Sequence, residues 1–132
     1  MAGEKSLDKL LQSMSPVLVD GDFVFCSVKN SKYGDFSDAR PIASFVETEG
    51  LTLVLLKNVA EDLCLAFEGV FRCISLEVHS SLEAVGLTAA ISARLASQGI
   101  AANMIAAYYH DHIFVQDKFA ERAFGILSKY DN

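Results

Sequence analysis

The sequence predicts an α+β fold in which an antiparallel sheet carries its helices on one face. Three observations in residues 70–116 point to it. Ile74, Leu76 and Val78 alternate with Cys73, Ser75, Glu77 and His79, the period of two of a half-buried strand. A helical pattern follows and runs to about Gln98. There Ala84, Val85, Ile91, Leu95 and Ala96 share one face with Thr88 and Ser92, and Glu83, Arg94, Ser97 and Gln98 fall opposite. Two more strand patterns, residues 100–107 and 112–115, are separated only by the turn at 108–111. With a last helix the order is β-α-β-β-α.

The boundaries of these elements have local causes. Ser80 or Ser81 can cap the first helix by accepting its free N–H groups, and Gly99 tolerates the positive φ that ends it. Asp117 is the expected N-cap of the last helix, in which Phe119, Ala123, Leu127 and Tyr130 recur at helical spacing.

The first half repeats the pattern more loosely. Residues 4–14 read as an amphipathic helix with Leu7, Leu10, Leu11 and Met14 as its stripe, ended by Ser15-Pro16. Asp20-Gly21-Asp22 marks a turn, and residues 23–28 follow as a strand apolar on both faces, hence central. Residues 29–41 form a long polar loop. Its Asp35, Asp38 and Arg40 are either ligand contacts or a solvated surface. Residues 42–46 and 51–56 make a hairpin, and Asn58 is positioned to cap a short helix over 59–67. GDFVFCSV at 21–28 echoes GVFRCISLEV at 69–78, which suggests a faint duplication.

The strand ISLEVH, the loop SSLEAVG, the helix LTAAISARLASQGI, the asparagine of NMI and the strand HIFV together resemble the ACT domain, a small ligand-sensing module of amino-acid metabolism. The set looks most like short, stand-alone proteins with ACT-like domains. The resemblance covers roughly the last 60 residues well. Many ACT loops read Asp-x-Pro-Gly before the helix; here Gly86 fills the glycine position without the aspartate or the proline. The resemblance implies a ferredoxin-like βαββα fold in two tandem ACT-like units, a degenerate one over 1–67 and a fuller one over 68–132. Whether strands are exchanged between the halves stays open at this point.

The same resemblance implies a non-catalytic regulatory protein that binds an amino acid. Its carboxylate would meet the amides between strand and helix, where free N–H groups and the helix dipole favour an anion. The residues concerned are His79, Ser80, Ser81, Leu82, Val85, Gly86, Leu87 and Thr88, completed by Asn103, Met104 and Ile105 at the start of the second strand, often across an interface. Read without the resemblance, Ser80 or Ser81 merely caps the helix and Asn103 faces solvent. A homo-oligomer and a regulated protein partner are implied, and no cofactor or metal is required.

Two alternatives belong to other classes. Tyr108-Tyr109-His110-Asp111-His112 places two imidazoles on one face of a strand, half of a zinc site or an acid–base centre. With His79 it would make a small enzyme; on the expectation that the first strand runs parallel to the strand after the hairpin, His79 lies at the far end of the sheet from His110 and His112. Alternatively the chain is a structural adaptor that dimerises through sheet edges, with Ser75, Glu77 and His79 in the interface.

Composition bounds these readings. A chain of 132 residues with 52% hydrophobic residues supports a packed core. The net charge of −6 argues against a nucleic-acid partner. The first sixteen residues carry Glu4, Lys5, Asp8 and Lys9 with no apolar core, and the longest apolar run, 53–56, is too short to cross a bilayer. No export signal or membrane contact is expected, and three cysteines without paired spacing read as reduced, buried thiols in a cytoplasm.

Overall fold

The computed structural model describes residues 7–78 and 85–129. Two compact units divide the chain: residues 21–71 form one, and residues 1–20 with 72–132 form the other. The first unit is an insert in the second.

The larger unit begins with α1 (Leu7–Gln12) and β1 (Pro16–Leu18). It resumes with β5 (Phe71–Leu76), α3 (Leu87–Ala96), β6 (Asn103–Ala106), β7 (Asp111–Gln116) and α4 (Ala120–Ser128). Its strands lie in the order β1-β5-β7-β6. β1 pairs antiparallel with β5, Pro16 opposite Leu76 and Leu18 opposite Ile74. The ladder continues as the Val19 amide donates to the Cys73 carbonyl at 2.9 Å, and Arg72 Nη2 donates to the Val19 carbonyl at 3.2 Å. The β-α-β-β-α order of the C-terminal half is therefore present, and a strand from the N-terminal segment completes its sheet. β1 went unpredicted because three residues are too few for a readable alternation.

One face of this sheet holds Ile74 and Leu76 of β5 with Ile113 and Val115 of β7. All three helices pack there: Leu10 and Met14 from the α1 segment, Leu87, Ile91 and Leu95 from α3, and Ala120, Ala123 and Leu127 from α4. The expected stripe of the first helix is borne out at Leu10 and Met14, each at most 2% exposed.

α3 differs from expectation at its start and in its face. Its N-cap is Gly86, not a serine, so the helix begins later and Leu87 takes the buried place expected of Val85. Ala96 is exposed, and Val85 precedes the helix and is 84% exposed. Its end is as expected. The Ile100 amide donates to the Leu95 carbonyl and the Gly99 amide to that of Ala96, at 3.0 and 2.9 Å, with Gly99 at φ 75°. This is a Schellman closure, and its apolar pair, Leu95 and Ile100, is buried. Ile100 is thus part of the helix stop, and β6 starts three residues later than the alternation implied. Asp117 opens a short 3-10 turn (Asp117–Phe119) into α4 and makes no side-chain cap bond.

The smaller unit contains β2 (Phe23–Val28), β3 (Ala43–Glu47), β4 (Gly50–Leu56) and α2 (Lys57–Asp62). Its sheet runs β3-β4-β2, with Phe71 at the head of β5 pairing with Phe23. β2 is central, as its two apolar faces imply. The β3–β4 hairpin turns at Thr48-Glu49, with Glu47 opposite Gly50. Leu51, Leu53 and Leu55 of β4 join Val24, Cys26 and Ala60 of α2 in the core. α2 starts before Asn58 and has no side-chain cap; a Lys57–Glu61 ion pair at 3.5 Å spans its single full turn. Between β2 and β3, where the larger unit has the ten-residue α3, there is only a short 3-10 turn (Ser37–Ala39). Antiparallel sheets with helices on one face, in two tandem units, are the ferredoxin-like ACT-type architecture.

Candidate functional site

Of the expected binding residues, His79, Ser80, Ser81 and Leu82 lie outside the described residues. The others are placed. Gly86 sits at φ +95°, a left-handed conformation that L side chains rarely adopt. A Cβ built there would lie 3.3 Å from the Leu7 Cδ2 methyl, so α1 approaches the start of α3 closely. The first intrahelical bond runs from the Ala90 amide to the Gly86 carbonyl at 2.9 Å. Among the described residues no side chain caps this end, whose first-turn amides lack an intrahelical acceptor.

Asn103, Met104 and Ile105 do not share one surface. The β6–β7 register places Met104 opposite Ile113, on the helix-bearing face, where Ser92 Oγ approaches Met104 Sδ at 4.0 Å. Asn103 and Ile105 point to the other face, and Asn103 Nδ2 donates to the Phe114 carbonyl at 3.2 Å. That bond explains the asparagine without a ligand.

Two contacts fix the direction of β7 against its neighbour β5. Ser75 Oγ lies 2.7 Å from His112 Nδ1, and His110 Nδ1 lies 3.4 Å from the Val78 carbonyl. As β5 advances, β7 retreats; the strands are antiparallel. This corrects the expected parallel arrangement. The helical crossover makes the first strand parallel to the strand entering the hairpin, and the hairpin then reverses the chain. The end of β5, just before His79, is therefore beside His110 and not across the sheet from it. By the same register Asn103, opposite Phe114, lies at the level of Cys73. Ile105, opposite His112, lies at the level of Ser75, so both stand along β5 on the face away from the helices.

The face away from the helices carries a hydrogen-bonded row. Cys73 Sγ lies 3.8 Å from Ser75 Oγ, and that hydroxyl meets His112. Burial, then the nearby His110, hold the His112 imidazole below its ordinary pKa, so it is neutral near pH 7. A serine–imidazole pair is a nucleophile arrangement in principle. Ser75 is only 7% exposed, however, which denies a substrate access and also removes it from the surface proposed for an adaptor. Among the described residues no three His, Cys, Asp or Glu side chains converge as a metal site. No helix among them is long and apolar enough to cross a membrane. Of the three cysteines, Cys26 and Cys73 are buried and Cys64 is exposed, contrary to the uniform burial expected.

In the long loop, the Lys32 amide donates to Asp35 Oδ2 at 2.9 Å, so Asp35 holds a turn. Asp38 is exposed in the 3-10 turn. Arg40, at φ 52°, borders a cleft with Tyr33, Phe36 and Pro41. This cleft is an apolar feature that a polar loop sequence does not advertise.

No functionally curated protein matches the chain. A solved Vibrio cholerae protein of unknown function, described as a possible transport protein, is 52% identical over 97% of this chain and 98% of its own, with a TM-score of 0.87. The ligand-free regulatory subunit of aspartate kinase from Thermus thermophilus is similar in fold, with a TM-score of 0.60 at 10% identity over 92% of this chain and all of its own. So is Clostridium acetobutylicum aspartate kinase, with a TM-score of 0.67 at 10% identity over 92% of this chain and 35% of the kinase. Two family models, each of the ACT domain, match in tandem, over residues 2–72 and 68–129. The chain belongs to the ACT-domain family.

Proposed function

We propose that this protein is a non-catalytic regulatory module that binds a small molecule, an amino acid, at the start of α3. The observation that carries the reading is a helix that begins on a left-handed glycine with no side-chain cap among the described residues. Its first-turn amides, with the positive end of the helix dipole, favour a carboxylate. Gly86, Leu87 and Thr88 supply that backbone, and the expected residues His79, Ser80, Ser81, Leu82 and Val85 precede it in the chain. Asn103 and Ile105 stand on the face away from the helices, so they join the same site when contributed by a second copy. Binding would then favour one association state, which is how such a module acts on a protein partner. Family membership supports ligand sensing; the aspartate kinase regulatory subunit among the similar folds supports a regulatory role. A division near 67/68 into tandem ACT units remains part of this reading, and the two family matches in tandem support it.

The test is isothermal titration with each of the twenty amino acids, beside a size measurement with and without ligand. Binding of one or a few amino acids, with amide shifts at Leu87 and Thr88, is expected. Silence across the set at millimolar concentration would remove the amino acid from the reading.

A further inference from the structure

The smaller unit has a vacancy where the larger one has a helix. In the larger unit Leu87, Ile91 and Leu95 of α3 fill the space over the sheet. In the smaller unit the 3-10 turn and Phe36 stand in that place, and a cleft of about 480 Å³ remains beside them. Its floor is Leu51 and Leu53 of β4, and its walls are Phe36 and Pro41. Ser37 and Ser44 add hydroxyls at the rim. Arg40 is the one charged side chain among the lining residues. It has no ion-pair partner among the described residues.

We infer that this cleft is a second binding site, for a small monocarboxylate with an apolar tail. One guanidinium balances one negative charge and matches a carboxylate with two parallel donors. A dianion would need a second cation that the lining lacks. The floor offers nothing polar, so the rest of the ligand is apolar. The volume falls within the range of small-molecule pockets, about 300–1,000 Å³. In a chain of net charge −6, a free cation over an apolar floor is a local exception that selects anions over cations. The site is independent of the α3 site, shares no residue with it, and stands if that one fails.

Two variants separate binding from folding. Arg40→Gly removes the cation at a left-handed φ that glycine prefers, so the fold is retained. Ser44→Phe, at an exposed position on β3, fills the cleft. The probes are 3-phenylpropionate and, as its cationic counterpart, phenethylamine, each titrated into the 132-residue chain and followed by amide and methyl chemical shifts. Saturable binding of 3-phenylpropionate with shifts at Ser44, Leu51 and Leu53 is expected, and no binding of phenethylamine. Arg40 is exposed, so Arg40→Gly should weaken it about two- to fivefold, the loss of a solvent-screened charge pair, and Ser44→Phe should abolish it. The inference is overturned if 3-phenylpropionate does not bind, if its shifts fall at Leu87 and Thr88 instead, if the amine binds equally, or if Arg40→Gly binds undiminished.

Discussion

Leu10→Ala tests the interleaved architecture most directly. Leu10 is fully buried and belongs to the core formed by β5, α3, β7 and α4, although more than sixty residues separate it from them. Truncating a buried leucine removes its transfer free energy and leaves a cavity, about 2–5 kcal/mol in all. The neighbours Ile91, Leu95 and Ile113 are themselves fully buried and have little freedom to collapse inward, so a value of about 3 kcal/mol is expected. That is a large part of the ~5–15 kcal/mol that holds an ordinary domain, and corresponds to a fall in Tm of about 10 °C. Native-state hydrogen exchange locates the loss. Amides of α3 and β7 should lose protection by the full amount, while those of β2 and β4 in the smaller unit change less. Unchanged protection in α3, or a loss below about 1 kcal/mol, would refute the placement of the N-terminal segment in this core.

Other expectations follow from single sites. Gly86→Ala should destabilise by about 1–2 kcal/mol, the cost of a left-handed L residue, with the Leu7 methyl adding strain; urea melts measure it, and a neutral result contradicts the φ of +95°. Gly86→Val therefore disturbs the fold as well as any binding and is a poor probe of the ligand site alone. The folded-state pKa of His112 is lowered, so the unfolded chain takes up its proton first. Its contribution to stability is complete above an ordinary histidine pKa of about 6.5 and is lost as pH falls from there through the lowered folded value. His112→Gln should flatten that part of the stability–pH curve, and an unaltered slope would show that other groups govern it. With a thiol reagent, Cys64 should react rapidly in the native protein; Cys26 and Cys73, buried and with thiol pKa values pushed up by burial, should react only on unfolding. Rapid labelling of two thiols would contradict this.

What was legible in the sequence was what short-range patterns encode. The alternation at 73–78 and the apolar runs of β2 and β4 gave strands, and Gly99 gave the end of α3, because each is decided within a few residues. The α1 stripe was legible for the same reason, but not its destination. Pairing partners are long-range: Pro16–Leu18 has no pattern that names Ile74 or Leu76. The start of α3 was misread because two serines are good caps in isolation, whereas a left-handed glycine begins the helix without one. The error over the direction of β7 against β5 was one of topology, not of residues. Arg40 was legible as a candidate ligand contact, but the apolar floor beneath it was not, because that floor belongs to β4 and nothing local connects it to the loop.

The pairing of Phe23 with Phe71 has a consequence for how the chain is made. During synthesis the α1 and β1 residues emerge long before the strand they will join. The insert between them holds all its own strands and can close first. Once it has, the residues on either side of it are neighbours, so Val19 finds Cys73 without a fresh search over fifty residues. The inserted unit is in this sense a clasp: its early closure turns a remote contact of the nascent chain into a local one.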